Sequence, residues 1–116
     1  MGDSLLVTGF PYNVKAIMDT VMQRFTRCLA SSQGVRRLGS AALDLSYVAA
    51  GRFEAFWEEN LQPWDVAAGY LIVTEAGGRV TDFDNRPFKP EMKSILASNG
   101  CIHNEMINLL TLKETE

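Results

Sequence analysis

The segment from Gln62 to Gly78 constrains this chain more than any other. Pro63-Trp64-Asp65 is followed by Val66-Ala67-Ala68-Gly69-Tyr70-Leu71-Ile72-Val73, almost free of polar residues, and the run closes on Thr74-Glu75-Ala76-Gly77-Gly78. Proline disfavours helical geometry in Gln62 and brings no N–H of its own. A helix is therefore predicted to begin after it, with Trp64 or Asp65 near the N-cap. Apolar residues lie nearly all round that helix, which predicts that it is enclosed rather than half-wet. Gly77-Gly78 stops it, because glycine takes the left-handed C′ conformation without steric cost. Asp65, an ionisable side chain at the mouth of a buried helix, is the foremost candidate for chemistry.

Around this helix the chain alternates between two periodicities. Leu5-Leu6-Val7-Thr8 reads as a buried strand running into Gly9-Phe10-Pro11. From Asn13, residues Val14, Ile17, Met18, Val21, Met22, Phe25, Cys28 and Leu29 recur at steps of three and four. They predict an amphipathic helix packed on a sheet, with Lys15, Asp19, Gln23, Arg24 and Arg27 toward water. Val35-Arg36-Arg37-Leu38 is a short strand leading into Gly39-Ser40-Ala41-Ala42 and a helix that ends at Gly51. Arg52 to Glu58 alternates and is rich in aromatics, as a strand does. Arg79 to Phe83 and Ser94 to Ser98 are strands separated by a turn at Asp84-Asn85-Arg86-Pro87, and a last helix begins at about Asn104. The pattern predicts an α/β fold: a mixed sheet of about five strands with helices on both faces, in a single domain over residues 1–116 whose last four, 113–116, are a frayed tail.

Composition excludes several classes of function. At 116 residues, 47% hydrophobic and 22% charged, the chain has the make-up of a soluble globular domain. Its net charge is −3, with both signs scattered, so no basic stripe offers a surface to nucleic acid. No apolar run is long enough to cross a bilayer, so no membrane partner is expected. Cys28 and Cys101 stand far apart without a C-x-x-C spacing, and both are expected as buried, reduced thiols in the cytoplasm.

Trp64-Asp65-Val66-Ala67-Ala68-Gly69 followed by Ile72-Val73-Thr74-Glu75-Ala76-Gly77-Gly78 resembles the second signature of the inositol monophosphatase family of metal-dependent phosphatases. The resemblance extends from Leu6 to the last helix, but only to the C-terminal half of that family. The first signature, D-P-[IL]-D-G-T, occurs nowhere in the sequence.

By spacing alone Asp65 is an N-cap; the resemblance implies instead a ligand of a catalytic divalent cation, expected to be Mg²⁺. Leu38-Gly39-Ser40-Ala41-Ala42 reads as a serine-capped helix start. The resemblance implies that Gly39, Ser40 and Ala41 line a substrate pocket, where free amides and the positive end of the helix dipole suit a phosphate. Glu58 stands seven residues before Asp65, where the family binds a substrate hydroxyl, and Glu59 is expected at the surface. Arg36 and Arg37 lie near the phosphate cradle, either as solvated strand-edge residues or as added positive charge. Lys15, Asp82, Asp84 and His103 have no partners at useful spacing, and His103 is expected at the surface.

The resemblance implies a metal-dependent phosphomonoesterase acting on inositol monophosphate or a related sugar phosphate. This chain is expected to be a C-terminal half with weak or no cation binding and little catalysis alone. A phosphorylated polyol or sugar is the implied substrate, and a homo-oligomer or the missing N-terminal half the implied partner. The other reading is a non-catalytic interaction or dimerisation module derived from the same fold.

Overall fold

The structure is a computed structural model that describes residues 1–11 and 13–112; the tail expected at 113–116 lies outside the described residues. Its strands are β1 (Leu5–Thr8), β2 (Gly34–Arg36), β3 (Ala55–Glu59), β4 (Arg79–Thr81) and β5 (Ser94–Ser98), and its helices α1 (Met18–Ser31), α2 (Ala41–Ala49), α3 (Pro63–Glu75) and α4 (His103–Leu110). The strands form one sheet in the order β2-β1-β3-β5-β4. Parallel pairing joins β1 to β2 and β3, whereas β5 runs antiparallel to β3 and β4.

This order dictates where the helices lie. The chain steps from β1 outward to β2, then returns across β1 to β3, and right-handed crossovers in opposite directions must cover opposite faces. Leu45, Val48, Val66 and Val73 of α2 and α3 accordingly pack with Val7, Phe56, Ile95 and Ala97. On the other face Cys28, Met106 and Leu110 of α1 and α4 pack with Leu6, Ala55, Trp57 and Leu96. Alternation along each strand divides the two cores, so Glu58, two residues after Phe56, belongs to the α2–α3 side.

Helix α3 departs from expectation at both its start and its outer face. It begins on Pro63 itself with Gln62 as N-cap, because the first helical position needs no N–H and its φ suits proline. Gly77, at φ 84°, closes the other end as expected. Enclosure is one-sided: Val66, Gly69 and Val73 are buried, while Trp64, Leu71 and Ile72 are 74%, 58% and 45% exposed. The sheet and α2 cover only one side of an otherwise apolar helix.

Helix α1 starts later than its periodicity predicts, at Met18, with residues 13–17 in turns. Val21 and Cys28 are buried, but Met18, Met22 and Leu29, expected in the core, are exposed. Two arginines expected in water instead close the end of α4. Arg24 Nε donates to Leu110 O at 2.9 Å, and Arg27 donates to Leu109 O at 2.7 Å and Asn108 O at 2.9 Å. Arg24 also pairs with Glu59 at 3.1 Å, so Glu59 is tied to α1 rather than free at the surface.

His103 is fully buried, contrary to the surface position expected of it. Its Nδ1 lies 2.7 Å from Ser98 Oγ and its Nε2 2.8 Å from Thr81 Oγ1. Thr81 Oγ1 gives its own proton to Asp82 O at 2.8 Å, so it accepts from Nε2–H. Ser98 then donates to Nδ1 while accepting from the Gly100 amide at 3.0 Å. Residues distant in sequence provide these partners, which is why spacing did not reveal them. Cys28 is buried as expected, but Cys101 is exposed, because it sits in the turn that enters α4.

Candidate substrate pocket

A cavity of about 600 Å³ opens at the C-terminal edge of the parallel strands. That edge is where doubly wound sheets bind ligands: α1 leaves β1 on one face and α2 leaves the neighbouring β2 on the other, and a crevice opens between them. Gly9, Phe10 and Pro11 follow β1; Arg37, Gly39 and Ser40 follow β2; and Glu58, Leu61, Trp64 and Asp65 follow or end β3. Every residue that the sequence singled out for a site, Gly39, Ser40, Ala41, Glu58 and Asp65, lines this one cavity.

The β2–α2 turn is built for a free helix start. Gly39 has φ 89°, which lets the chain double back from strand to helix. Ser40 caps α2 by accepting from the Leu43 amide at 3.3 Å. The amides of Ala41 and Ala42 have no intrahelical acceptor at this end, where the helix dipole is positive.

Glu58 is 7% exposed and owes its place to Gly9. The register sets Thr8 opposite Trp57, so Gly9 lies beside Glu58, and a Cβ built on Gly9 would stand 2.9 Å from Glu58 Cδ. Burial pushes the Glu58 carboxyl up to about 8, with the charges of Asp44 and then Asp65 adding to the rise and Arg37 opposing it.

Asp44 was not anticipated. It is 1% exposed, and neither carboxylate oxygen has a hydrogen-bond partner among the described residues. Burial raises its carboxyl to about 6 against the pull of Arg37. Position 44 shares a helical stripe with Ala41, Leu45 and Val48, and that was the available signal: an acid on the inward face. Arg37, the only basic side chain among the residues lining the cavity, lies 4.8 Å from the Phe10 ring centroid. Arg36 is not part of the lining.

Asp65, in the first turn of α3, is the residue that could offer a hard oxygen to a cation. Among the described residues no group of three or more histidine, cysteine, aspartate or glutamate side chains could hold a metal ion. The residues present do not by themselves fit a magnesium site. No helix among the described residues is long and apolar enough to cross a membrane.

A half-wound parallel layer, a switch-point crevice and a capped helix start beside acidic side chains define an α/β protein with a candidate ligand cavity. Comparison with known proteins narrows this. The sequence profile of the Inositol monophosphatase family matches residues 2–115. The chain belongs to that family. It is 48% identical over 107 residues to the Inositol-1-monophosphatase of Synechocystis sp., covering 92% of this chain and 37% of that protein. It is 47% identical over 98 residues to the Nus factor SuhB of Pseudomonas aeruginosa, covering 83% and 36%. The solved structure of inositol monophosphatase from Anabaena superimposes with TM-score 0.89 at 47% identity, covering 94% of this chain and 43% of that one. The chain thus spans less than half the length of these relatives.

Proposed function

We propose that this chain is one domain, the C-terminal half of a metal-dependent phosphomonoesterase that hydrolyses inositol monophosphate or a related sugar phosphate. The observation that carries this reading is the convergence of the Ser40-capped helix start, Glu58 and Asp65 on one crevice. The first-turn amides of α2 hold and orient an anionic or hydroxyl oxygen, Glu58 meets a polyol hydroxyl, and Asp65 adds one oxygen ligand to a cation site that other residues must complete. In such a site Mg²⁺ would activate water and stabilise the leaving oxygen.

The completing residues come from a complementary half that packs on the outer face of α2 and α3. Leu43, Leu71, Ile72 and Trp64 are exposed there, and Glu75 is the only charged residue of α3 besides Asp65. Apolar surface of this kind is unusual on a finished monomer. Left without that half, the same face supports self-association, as a dimer or larger homo-oligomer. Two free thiols suit a reducing compartment such as the cytoplasm.

A second reading, a non-catalytic interaction module, is favoured by the names of the relatives. At nearly equal identity one is called an inositol monophosphatase and another a Nus factor. The deciding experiment is Mg²⁺-dependent phosphate release from inositol monophosphate, measured on the chain alone and with the absent half added in trans, beside an Asp65→Asn control. Release that needs the added half and is lost in the control supports the enzyme. A stable assembled complex without release supports the interaction module.

A further inference from the structure

Arg37 stands in the cavity wall with its hydrogen-bonding capacity unspent. The ion pairs among the described residues join Arg24 to Glu59 and Arg86 to Asp82 and Asp84, and no hydrogen bond among those residues engages Arg37. Its contact is with a ring: the guanidinium carbon lies 4.8 Å from the centroid of Phe10. Two other arginines rest on rings in this way, and each differs in one respect. Arg24, over Phe83, gives its donors to Leu110 O and Glu59. Arg52, over Tyr47, lies outside the cavity. Arg37 combines a ring beneath it, uncommitted N–H groups and a place in the lining. A cation–π contact draws on the charge of a guanidinium and leaves its five donors for other partners.

The ring is itself anchored. Phe10 follows β1 and packs on Phe25 of α1, with centroids 6.2 Å apart. Gly39, Ser40 and Ala41, which follow Arg37 closely in sequence, line the same cavity, and so do the acids Glu58 and Asp65. We propose that Arg37, seated on Phe10, is the anion-recognising residue of this cavity and takes a phosphate group on its N–H fork beside the start of α2. The planar fork matches two phosphate oxygens at once. This rests on the reading of the cavity as a site for a phosphorylated polyol and adds an orientation to it. The phosphate lies toward Arg37 and the hydroxyls toward Glu58, because a carboxylate accepts from hydroxyls and repels phosphate. Phe10 is then a positioning residue, holding a long side chain in place before the ligand arrives.

The test is binding rather than turnover, so it needs neither metal nor catalysis. Inorganic phosphate, inositol monophosphate and inositol are titrated into the metal-free chain and followed by NMR, with the Arg37 Nε–H as reporter. Both phosphates should shift that signal and bind more weakly as salt is raised. Arg37→Met, at an exposed position where folding is retained, should weaken both about tenfold or more and bring inositol monophosphate down to the level of inositol. Arg37→Lys keeps the charge without the fork and should fall between. Phe10→Leu should weaken phosphate binding in the native background and add nothing to Arg37→Met, a non-additivity that a merely structural ring would not produce. Equal phosphate affinity in the native chain and Arg37→Met overturns the proposal while leaving the cavity a phosphate site. A native chain that binds inositol monophosphate no better than inositol overturns it together with the phosphorylated-polyol reading.

Discussion

Acidification should unfold this protein through one buried ring. His103 is held well below its ordinary 6.5, at about 4, because burial excludes water and Arg79 adds a like charge. The folded value is the lower one, so the neutral ring stabilises the fold above the unfolded value. That contribution is lost as pH falls from about 6.5 toward 4. At about 1.36 kcal/mol per unit the gap amounts to about 3 kcal/mol, with roughly 2 kcal/mol gone by about pH 5. The network explains why the cost is not avoided locally: a proton on Nδ1 would face Ser98 Oγ, which must then abandon its donor role while still accepting from Gly100. Asp44 and Glu58 shift the opposite way, so their contribution grows more favourable in acid and must be cancelled. Urea unfolding of the native chain beside His103→Gln, at several values between about pH 4.5 and 7.5, does this. The native chain should lead at neutral pH and lose about 2 kcal/mol of that lead by about pH 5. Parallel stability curves for the two proteins, or a His103 ring that titrates near its ordinary value by NMR, would refute the reasoning.

Other substitutions probe the layers around the pocket. Asp82 is 2% exposed and accepts from the amides of Asp84 at 3.0 Å and Arg86 at 2.9 Å, and from Arg86 Nε at 2.7 Å. Asp82→Ala should therefore cost about 2 kcal/mol in urea denaturation, and a loss under about 0.5 kcal/mol would show that the turn holds without it. Gly9→Ala should displace the Glu58 carboxyl while changing stability by less than about 1 kcal/mol, seen as a moved Glu58 titration; an unaltered midpoint would mean that the side chain yields at no consequence to the site. A Cβ on Gly69 would stand 2.7 Å from Leu45 Cβ, so Gly69→Ala should destabilise by about 1–3 kcal/mol, and native-like stability would contradict so close a contact.

Local chemistry made most elements legible. Glycine and proline marked where strands and helices stop, and the change from period two to steps of three and four separated the five strands from the four helices. The faults share one cause: side chains were assigned to water or core before their neighbours were known. Arg24 reads as a solvated helix position until the end of α4 is brought to it, and Met22 reads as core until α1 is found to roll Val21 and Cys28 inward. His103 and Asp44 were missed for the same reason. A lone histidine gains meaning from Ser98 and Thr81 only when β4, β5 and α4 meet, and an acid between two leucines looks ordinary until that face is seen against Glu58. The pocket itself was visible as motifs, not as a place. Its location depends on the return of the chain across β1, which no local window contains.

The contact between Gly69 and Leu45 reaches further than packing. Ser40 stands at the start of one helix and Asp65 at the start of the other, and the two helices meet where the Leu45 side chain rests on the bare backbone of Gly69. The gap across which a ligand must fit is thus gauged at a point inside the core. Any residue larger than glycine there acts as a wedge, prising apart at the helix starts two groups that it never touches.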